Sequence, residues 1–410
     1  MAQPGHPIRL AIVRQRYDPF GGAERFVEKA IDALSMARTP IELTVFAQTW
    51  PVDHAGAARC ETIPVATSIR WLRDRLFARR LYKRLHAERF DLVQSHERIP
   101  GLDVYRAGDG VHAAWLERQT RALQGWRRWA KRLLQTLSPY HRYLRRQEGR
   151  MFRHPRLRAV ICNSRLVLEE IEARFAVPAA KLKLIYNGVD TNTIQPAGLL
   201  ERSEARSLLG LGPTEKVLLY VGSGFARKGV VILLRAIHQL QTELTCGHAE
   251  RPPAVRCLVV GRERHLRRYR LLAQRLGIER CMLWCGAQPE LAPYWAAADA
   301  FVLPTLYDPL PNAALEALAA GLPVFVTDAC GVAELLTPDS GWVHAAGDAG
   351  RLAEQMRQWL ADQSSATIER RRLAARAVAD GLSLDKMTVQ LTALYSELLD
   401  LAPLSSTGTA

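Results

Sequence analysis

The sequence predicts an α/β protein of two doubly wound, Rossmann-like domains facing each other across a cleft, and three observations carry that expectation. Short β-branched or apolar runs alternate with helical patterns, the alternation restarts midway, and 410 residues exceed what one core commonly supports. The first series is IRLAIV, IELTVFA, FDLVQSH, LDVYRA and LRAVICNS; after the turn YNGVD it resumes with KVLLYVG, AVRCLVVG, MLWCGA, AFVLPT and PVFVT. Strands in such alternation are parallel, and their ligands sit beyond the strands' C-terminal ends. The expected division is an N-terminal domain over 1–187, a C-terminal domain over 188–382, and a helix and tail over 383–410. The helical pattern LDKMTVQLTALYSELLDLA in that last segment suits packing on either domain.

Composition is that of a globular chain, 48% hydrophobic and 24% charged. No apolar run approaches the roughly 20 residues that span a bilayer, and MAQPGHPIRLAIVRQ lacks a signal-peptide core, so a cytoplasmic protein is expected. Seven scattered cysteines form no disulfide framework, and Cys281 and Cys285 lack a second pair at zinc spacing. The net charge of +15 is local. Residues 70–158 hold 23 Lys and Arg against 8 Asp and Glu, which accounts for the whole excess and points to an anionic partner on that segment.

The most informative stretch is YDPLPNAALEALAAGLPV, residues 307–324. A strand ends at Thr305, a Pro-rich bend carries Asp308, Asn312 suits the N-cap of a helix, and Gly321 with Pro323 stops it. A helix start there offers N–H groups and partial positive charge to a phosphate, with Ala313 and Ala314 keeping the backbone accessible. Glu316, in that helix, suits ribose hydroxyls, and Asp308 suits the hydroxyls of a sugar. Taken alone, Glu316 complementing the helix dipole for roughly 0.3 to 1 kcal/mol and Asp308 filling a turn would explain the pattern better.

Two further motifs shift that balance. VGSGFARKGV, residues 221–230, follows a strand with a Gly-Ser-Gly turn and places Arg227 and Lys228 at the start of a helix, where two cations neutralise a diphosphate. It lacks the Gly-Lys-Ser/Thr ending of a P-loop. DPFGGAERF puts Gly21 and Gly22 between the first strand and a helix carrying Glu24, so a ligand can approach the backbone; a plain tight turn reads equally well.

With FGGAE, IYNGVD, VGSGFARKG and YDPLPNAALEALAAGLPV in this order and at these separations, the chain resembles family 4 of the retaining glycosyltransferases, which have the GT-B fold. PGLDVYRAGD and GSGFARKG are similar to the lipopolysaccharide core glucosyltransferases within it. The resemblance implies transfer of a hexose, glucose from UDP-glucose, to a lipid-linked glycan such as the heptose of the lipopolysaccharide inner core. It implies retention of configuration, no cofactor and no metal. It assigns Arg227 and Lys228 to the donor diphosphate together with Gly21, Gly22, Asn312, Ala313 and Ala314, Asp308 to the donor sugar, and Glu316 to the ribose. Asp109 of YRAGD matches a residue held to orient the acceptor; His96, which ends FDLVQSH, competes for the catalytic role and ranks below it. Asp308 departs from the Glu usual in the family and reaches one methylene less. Other donors, an N-acetylhexosamine, galactose or mannose, remain as alternatives.

The basic segment fits such an acceptor. On a helical wheel Trp126, Trp129, Ala130, Leu133 and Leu137 share one face and Arg127, Arg128, Lys131 and Arg132 the other, as in a helix lying on an anionic membrane. WLRDRLFARRLYKRL, residues 71–85, is less cleanly divided. For each helix alone, an apolar face in the domain core reads equally well. Together the segment matches a lipid-linked anionic acceptor and a peripheral place on the inner face of the cytoplasmic membrane. A nucleic-acid-binding protein would use the same segment but would leave the balanced second half and its phosphate motifs without a role, so no nucleic acid is expected. A sugar-nucleotide epimerase or a silent binding module of the same fold are the remaining alternatives.

Overall fold

The computed structural model describes residues 7–16, 22–36, 39–50, 58–121, 125–246 and 254–400. They form two units, each around its own parallel sheet.

The first unit begins with β1 (Ile8–Val13), α1 (Gly22–Ser35), β2 (Ile41–Ala47), β3 (Arg59–Thr62) and α2 (Arg70–Ala87). It continues with β4 (Leu92–Ser95), β5 (Val104–Arg106), α3 (His112–Arg121), α4 (Gly125–Leu137), α5 (Pro139–Phe152), β6 (Ala159–Cys162), α6 (Arg165–Phe175) and β7 (Leu182–Leu184). The strands pair in the order β3-β2-β1-β4-β5-β6-β7, all parallel. β1 sits between β2, with Ile8 opposite Ile41, and β4, with Leu10 opposite Leu92, so the order reverses direction there. β4, β5 and β6 are buried throughout, as interior strands of a doubly wound sheet are. The helix starts obey local chemistry: Ser138 accepts from the His141 amide with Pro139 next in line, and Ser164 accepts from Val167.

The second unit, Val189–Ser383, carries α7 (Leu199–Leu208), β8 (Lys216–Val221), α8 (Val230–Cys246), β9 (Val255–Val260), α9 (Leu266–Arg275), β10 (Met282–Gly286) and α10 (Ala292–Ala297). β11 (Ala300–Leu303), α11 (Asn312–Ala319), β12 (Val324–Thr327), β13 (Gly341–His344), α12 (Ala349–Ala361) and α13 (Ser365–Asp380) complete it. Its strand order is β10-β9-β8-β11-β12-β13, again parallel, with the reversal between β8 and β11.

The last described helix, α14 (Leu384–Leu398), belongs to the first unit. Met387, Leu391, Leu394, Tyr395 and Leu398 are buried in one cluster with Ile31 and Leu34 of α1 and Leu10 and Ile12 of β1. Their spacing of four, three, one and three residues is a helical stripe, and the stripe's partner is what periodicity alone leaves undecided. Among the described residues no helix is long and apolar enough to cross a membrane.

Candidate functional site

In an open α/β sheet the chain leaves neighbouring strands in opposite directions where the order reverses, which opens a crevice at their C-terminal ends. Each unit has one such place.

In the second unit, β8 runs into Gly222-Ser223-Gly224 and β11 into Pro304–Asp308. The two loops are laced together. Leu306 N–H and the Thr305 hydroxyl donate to the Arg227 carbonyl at 2.8 and 3.2 Å, and Arg227 Nη1 donates to the Tyr307 carbonyl at 2.9 Å. Gly229 allows this approach: its φ is 77°, and an added Cβ would lie 1.8 Å from the Pro304 carbonyl oxygen. The segment after β12 fixes Asp308, whose N–H donates to Ala329 and whose carbonyl accepts from Gly331.

These constraints bring three of the expected residues to one point. Asp308 Oδ2 lies 3.3 Å from Arg227 Nη1 and 3.5 Å from Lys228 Nζ. Asp308 is 7% exposed and the Lys228 side chain 13%, so that ion pair forms with little water to screen it, whereas the Arg227 side chain, 37% exposed, meets solvent as well. Burial pushes Lys228 below the ordinary lysine range, and Asp308 works against that shift. Arg227 and Lys228 precede α8 in the turn from Phe225 to Gly229 rather than starting the helix, because Gly229 in the left-handed region intervenes.

The start of α11 differs in detail from the sequence expectation. Pro311, extended at φ −69° and ψ 118°, is the N-cap, and Asn312 is the first helical residue. Ala314 is fully buried and its amide donates to the Pro311 carbonyl at 3.0 Å, so it is not open to an anion. The tight turn that a Pro-capped start makes consumes that donor. Ala313, half-buried, keeps its place in the first turn, and Glu316 follows on the same helix, also half-buried. Asp308 and α11 share the one connection from β11 to β12.

Sequence reasoning missed Glu263, whose Oε2 accepts from the Phe225 amide at 3.1 Å and pins the Gly-rich loop. Its only signal was position, just past the C-terminal end of β9.

In the first unit, β1 is followed by Arg14–Arg16, β4 by His96–Arg98, and β5 by the turn holding Asp109. They surround a cavity of about 240 Å³, lined by Arg14, Asp74, Glu97, Arg98, Asp109 and Tyr140 among others. Asp109 Oδ2 lies 3.3 Å from Arg14 Nη1, and Glu97 Oε1 lies 3.9 Å from the same nitrogen and accepts from the Gln15 amide at 2.9 Å. The Asp109 side chain is 44% exposed. Burial raises the carboxyls of Asp74 and Glu97. Arg98, half-buried, pairs with the buried Glu148 at 3.0 Å and donates to the Gly110 carbonyl, which holds the turn after Asp109.

His96 is near but not on the cavity wall. It is 7% exposed, its Nε2 lies 3.3 Å from Gln94 Nε2, and burial with Arg14 and Arg106 pushes its pKa well below the usual histidine value. Gly22 opens α1, while Gly21 lies outside the described residues. Among the described residues no group of three His, Cys, Asp or Glu side chains is placed to hold a metal.

The basic segment spans α2 to α5. Phe77 and Leu81 anchor α2 in the core. α4 does not bury its apolar face: Trp126 is 76% and Trp129 68% exposed, with Leu133, Leu134 and Leu137 exposed beside them.

Two family models match the chain, Glycosyltransferase Family 4 over residues 20–193 and Glycosyl transferases group 1 over residues 201–379. The lipopolysaccharide glucosyltransferase WaaG of Escherichia coli (strain K12) is 24% identical over 328 residues, 80% of this chain and 82% of its own. The crystal structure of WaaG, a glycosyltransferase involved in lipopolysaccharide biosynthesis, has a TM-score of 0.78 at 22% identity, covering 94% of this chain and 99% of that one. Anabaena Alr3699/HepE in complex with UDP-glucose has a TM-score of 0.71 at 19% identity, covering 95% of this chain and all of that one.

Proposed function

The chain belongs to the glycosyltransferases of group 1 and family 4, with their GT-B fold, and on that premise we propose that it is a retaining hexosyltransferase. Its donor is UDP-glucose and its acceptor a lipid-linked glycan of the lipopolysaccharide inner-core type. The observation that carries the reading is the convergence of Arg227, Lys228 and Asp308 where the strand order reverses. Two cations and one carboxylate leave one net positive charge on the loops, which suits a diphosphate. HepE was crystallised with UDP-glucose on the same fold, and WaaG is named for glucosyl transfer to lipopolysaccharide.

Arg227 and Lys228 bind the diphosphate and stabilise the charge that grows on it as its bond to the sugar carbon breaks. No divalent metal is required for that neutralisation. Glu316 accepts from the ribose hydroxyls, and Asp308 from the hydroxyls of the sugar. The acceptor oxygen bonds to the sugar carbon on the face the phosphate leaves, and its proton passes to the departing phosphate oxygen. Asp109 orients the acceptor. The exposed Trp126 and Trp129 of α4, beside the basic residues Arg128 and Arg132, hold the protein on an anionic membrane surface.

Titration with UDP-glucose, GDP-mannose and ADP-glucose, with Glu316→Ala as control, tests the donor site. Micromolar binding of UDP-glucose that the control loses is the expected result. Preference for GDP-mannose would move the donor assignment, for which Asp308 in place of the family's Glu is the structural motive. No binding to any sugar nucleotide would sink the reading.

A further inference from the structure

α2 and α5 enclose a groove of about 1150 Å³ walled by arginine. α2 contributes Arg75 and Arg79, α5 contributes Arg142, Arg146 and Arg150, and Arg153 is the C-cap of α5. The intervals of four, four and three residues from Arg142 to Arg153 keep these side chains on one helix face. Among the described residues no Asp or Glu lines the groove and none of the six pairs with a carboxylate. The opposite face of α5 is built differently: Glu148 is buried there and bonded to Arg98 at 3.0 Å. Arg156, at the groove's edge, has its carboxylate partner in Asp103 at 3.5 Å.

Like charges facing a shared space repel, and the fold tolerates this arrangement where an external anion relieves it. Guanidinium forks match phosphate oxygens two at a time, which lysines do not. Trp71 and Tyr143, with ring centroids 6.5 Å apart, line the same groove and offer flat apolar surface to sugar rings. A planar membrane meets the exposed tryptophans of α4 but cannot enter a concavity between two helices. An extended saccharide carrying several phosphates can.

We propose that this groove binds the phosphate groups of a phosphorylated saccharide chain, the acceptor glycan; the identity of that glycan rests on the function proposed above. The test uses the full chain and calorimetry. The probes are a deacylated inner-core oligosaccharide bearing its phosphates, the same oligosaccharide dephosphorylated, a short single-stranded DNA, and vesicles of phosphatidylcholine with phosphatidylglycerol. The wild type should prefer the phosphorylated oligosaccharide by about tenfold or more, and this preference should weaken as salt rises. Arg146→Ala with Arg150→Ala should erase the preference, and Arg146→Lys with Arg150→Lys should keep part of it. Equal affinity of the wild type for the two oligosaccharides, or tighter binding of the DNA, overturns the proposal. So does an unchanged preference in the alanine pair accompanied by lost vesicle binding, which would make the groove a membrane contact. UDP-glucose titration of the wild type runs beside these arms. Its failure with the phosphate preference intact removes the donor reading and leaves the groove; the converse removes the groove and leaves the donor reading.

Discussion

Tyr395 donates its hydroxyl to Gln94 Oε1 at 2.8 Å, tying α14 to the strand that precedes His96. The same Gln94 side chain reaches the ring of His96, its amide nitrogen 3.3 Å from Nε2. Burial holds the ring neutral. α14 thereby braces the side chain that contacts His96 beside the first unit's cavity. Tyr395→Phe should cost about 1 to 3 kcal/mol in urea unfolding by leaving Gln94 without its donor. An unchanged midpoint would show that the contact carries no weight.

Asp109 faces the first-unit cavity and His96 does not, which separates two residues the sequence left in competition. Asp109→Ala should lower transfer by about a hundredfold or more with UDP-glucose affinity unchanged. His96→Ala should act chiefly on stability. Near-normal turnover of the Asp109 variant would take it out of the catalytic set.

Lys228 gives the proposed donor site a pH signature. Its pKa is lowered by burial, so its charge is lost as pH rises, earlier than for an ordinary lysine. Donor binding should therefore fall on the alkaline side with a midpoint below the usual lysine value. Asp308 raises that pKa, so Asp308→Asn should move the midpoint lower still. Nucleotide affinity measured across alkaline pH checks both; an upward move in the variant contradicts the assignment.

Gly229→Ala joins two faults, a left-handed φ and a methyl group driven into the Pro304 carbonyl. The loops must part, and the meeting of Arg227 with Asp308 parts with them. Loss of about 2 kcal/mol or more in stability together with loss of nucleotide binding is expected. Stability lost with binding retained would show that the donor does not depend on this interlock.

His344 is 4% exposed, and burial lowers its pKa to about 4. The unfolded chain takes up the proton first as pH falls, so the stability this neutral ring contributes is complete above about pH 6.5 and is lost toward pH 4. The loss at pH 5 is about 2 kcal/mol. His344→Gln should flatten the fall in Tm over that window, and an unaltered slope would assign the acid sensitivity elsewhere.

The sequence alone marked ten of the thirteen described strands, IRLAIV and AFVLPT among them, because strands buried inside a parallel sheet are rich in apolar residues; β3, β7 and β13 lie at sheet edges, are short and only partly buried, and carry no such run. It determined the two-unit plan through the restart after YNGVD, and it marked Asp308, Arg227 and Lys228 because bends and glycine turns next to strand ends are local features. Tertiary structure decided what joins residues far apart. The pairing of Asp308 with two cations some 80 positions earlier depends on β8 lying beside β11. The home of α14 depends on which apolar face its stripe meets, and the Ala314 amide was taken by a neighbour because Pro311 tightened the helix start. The arginine groove exists only because two separate helices turn their basic faces toward one space. Hydrophobic patterning is written along the chain one segment at a time, whereas electrostatic and hydrogen-bonded partnerships are properties of distance, which only the folded chain sets.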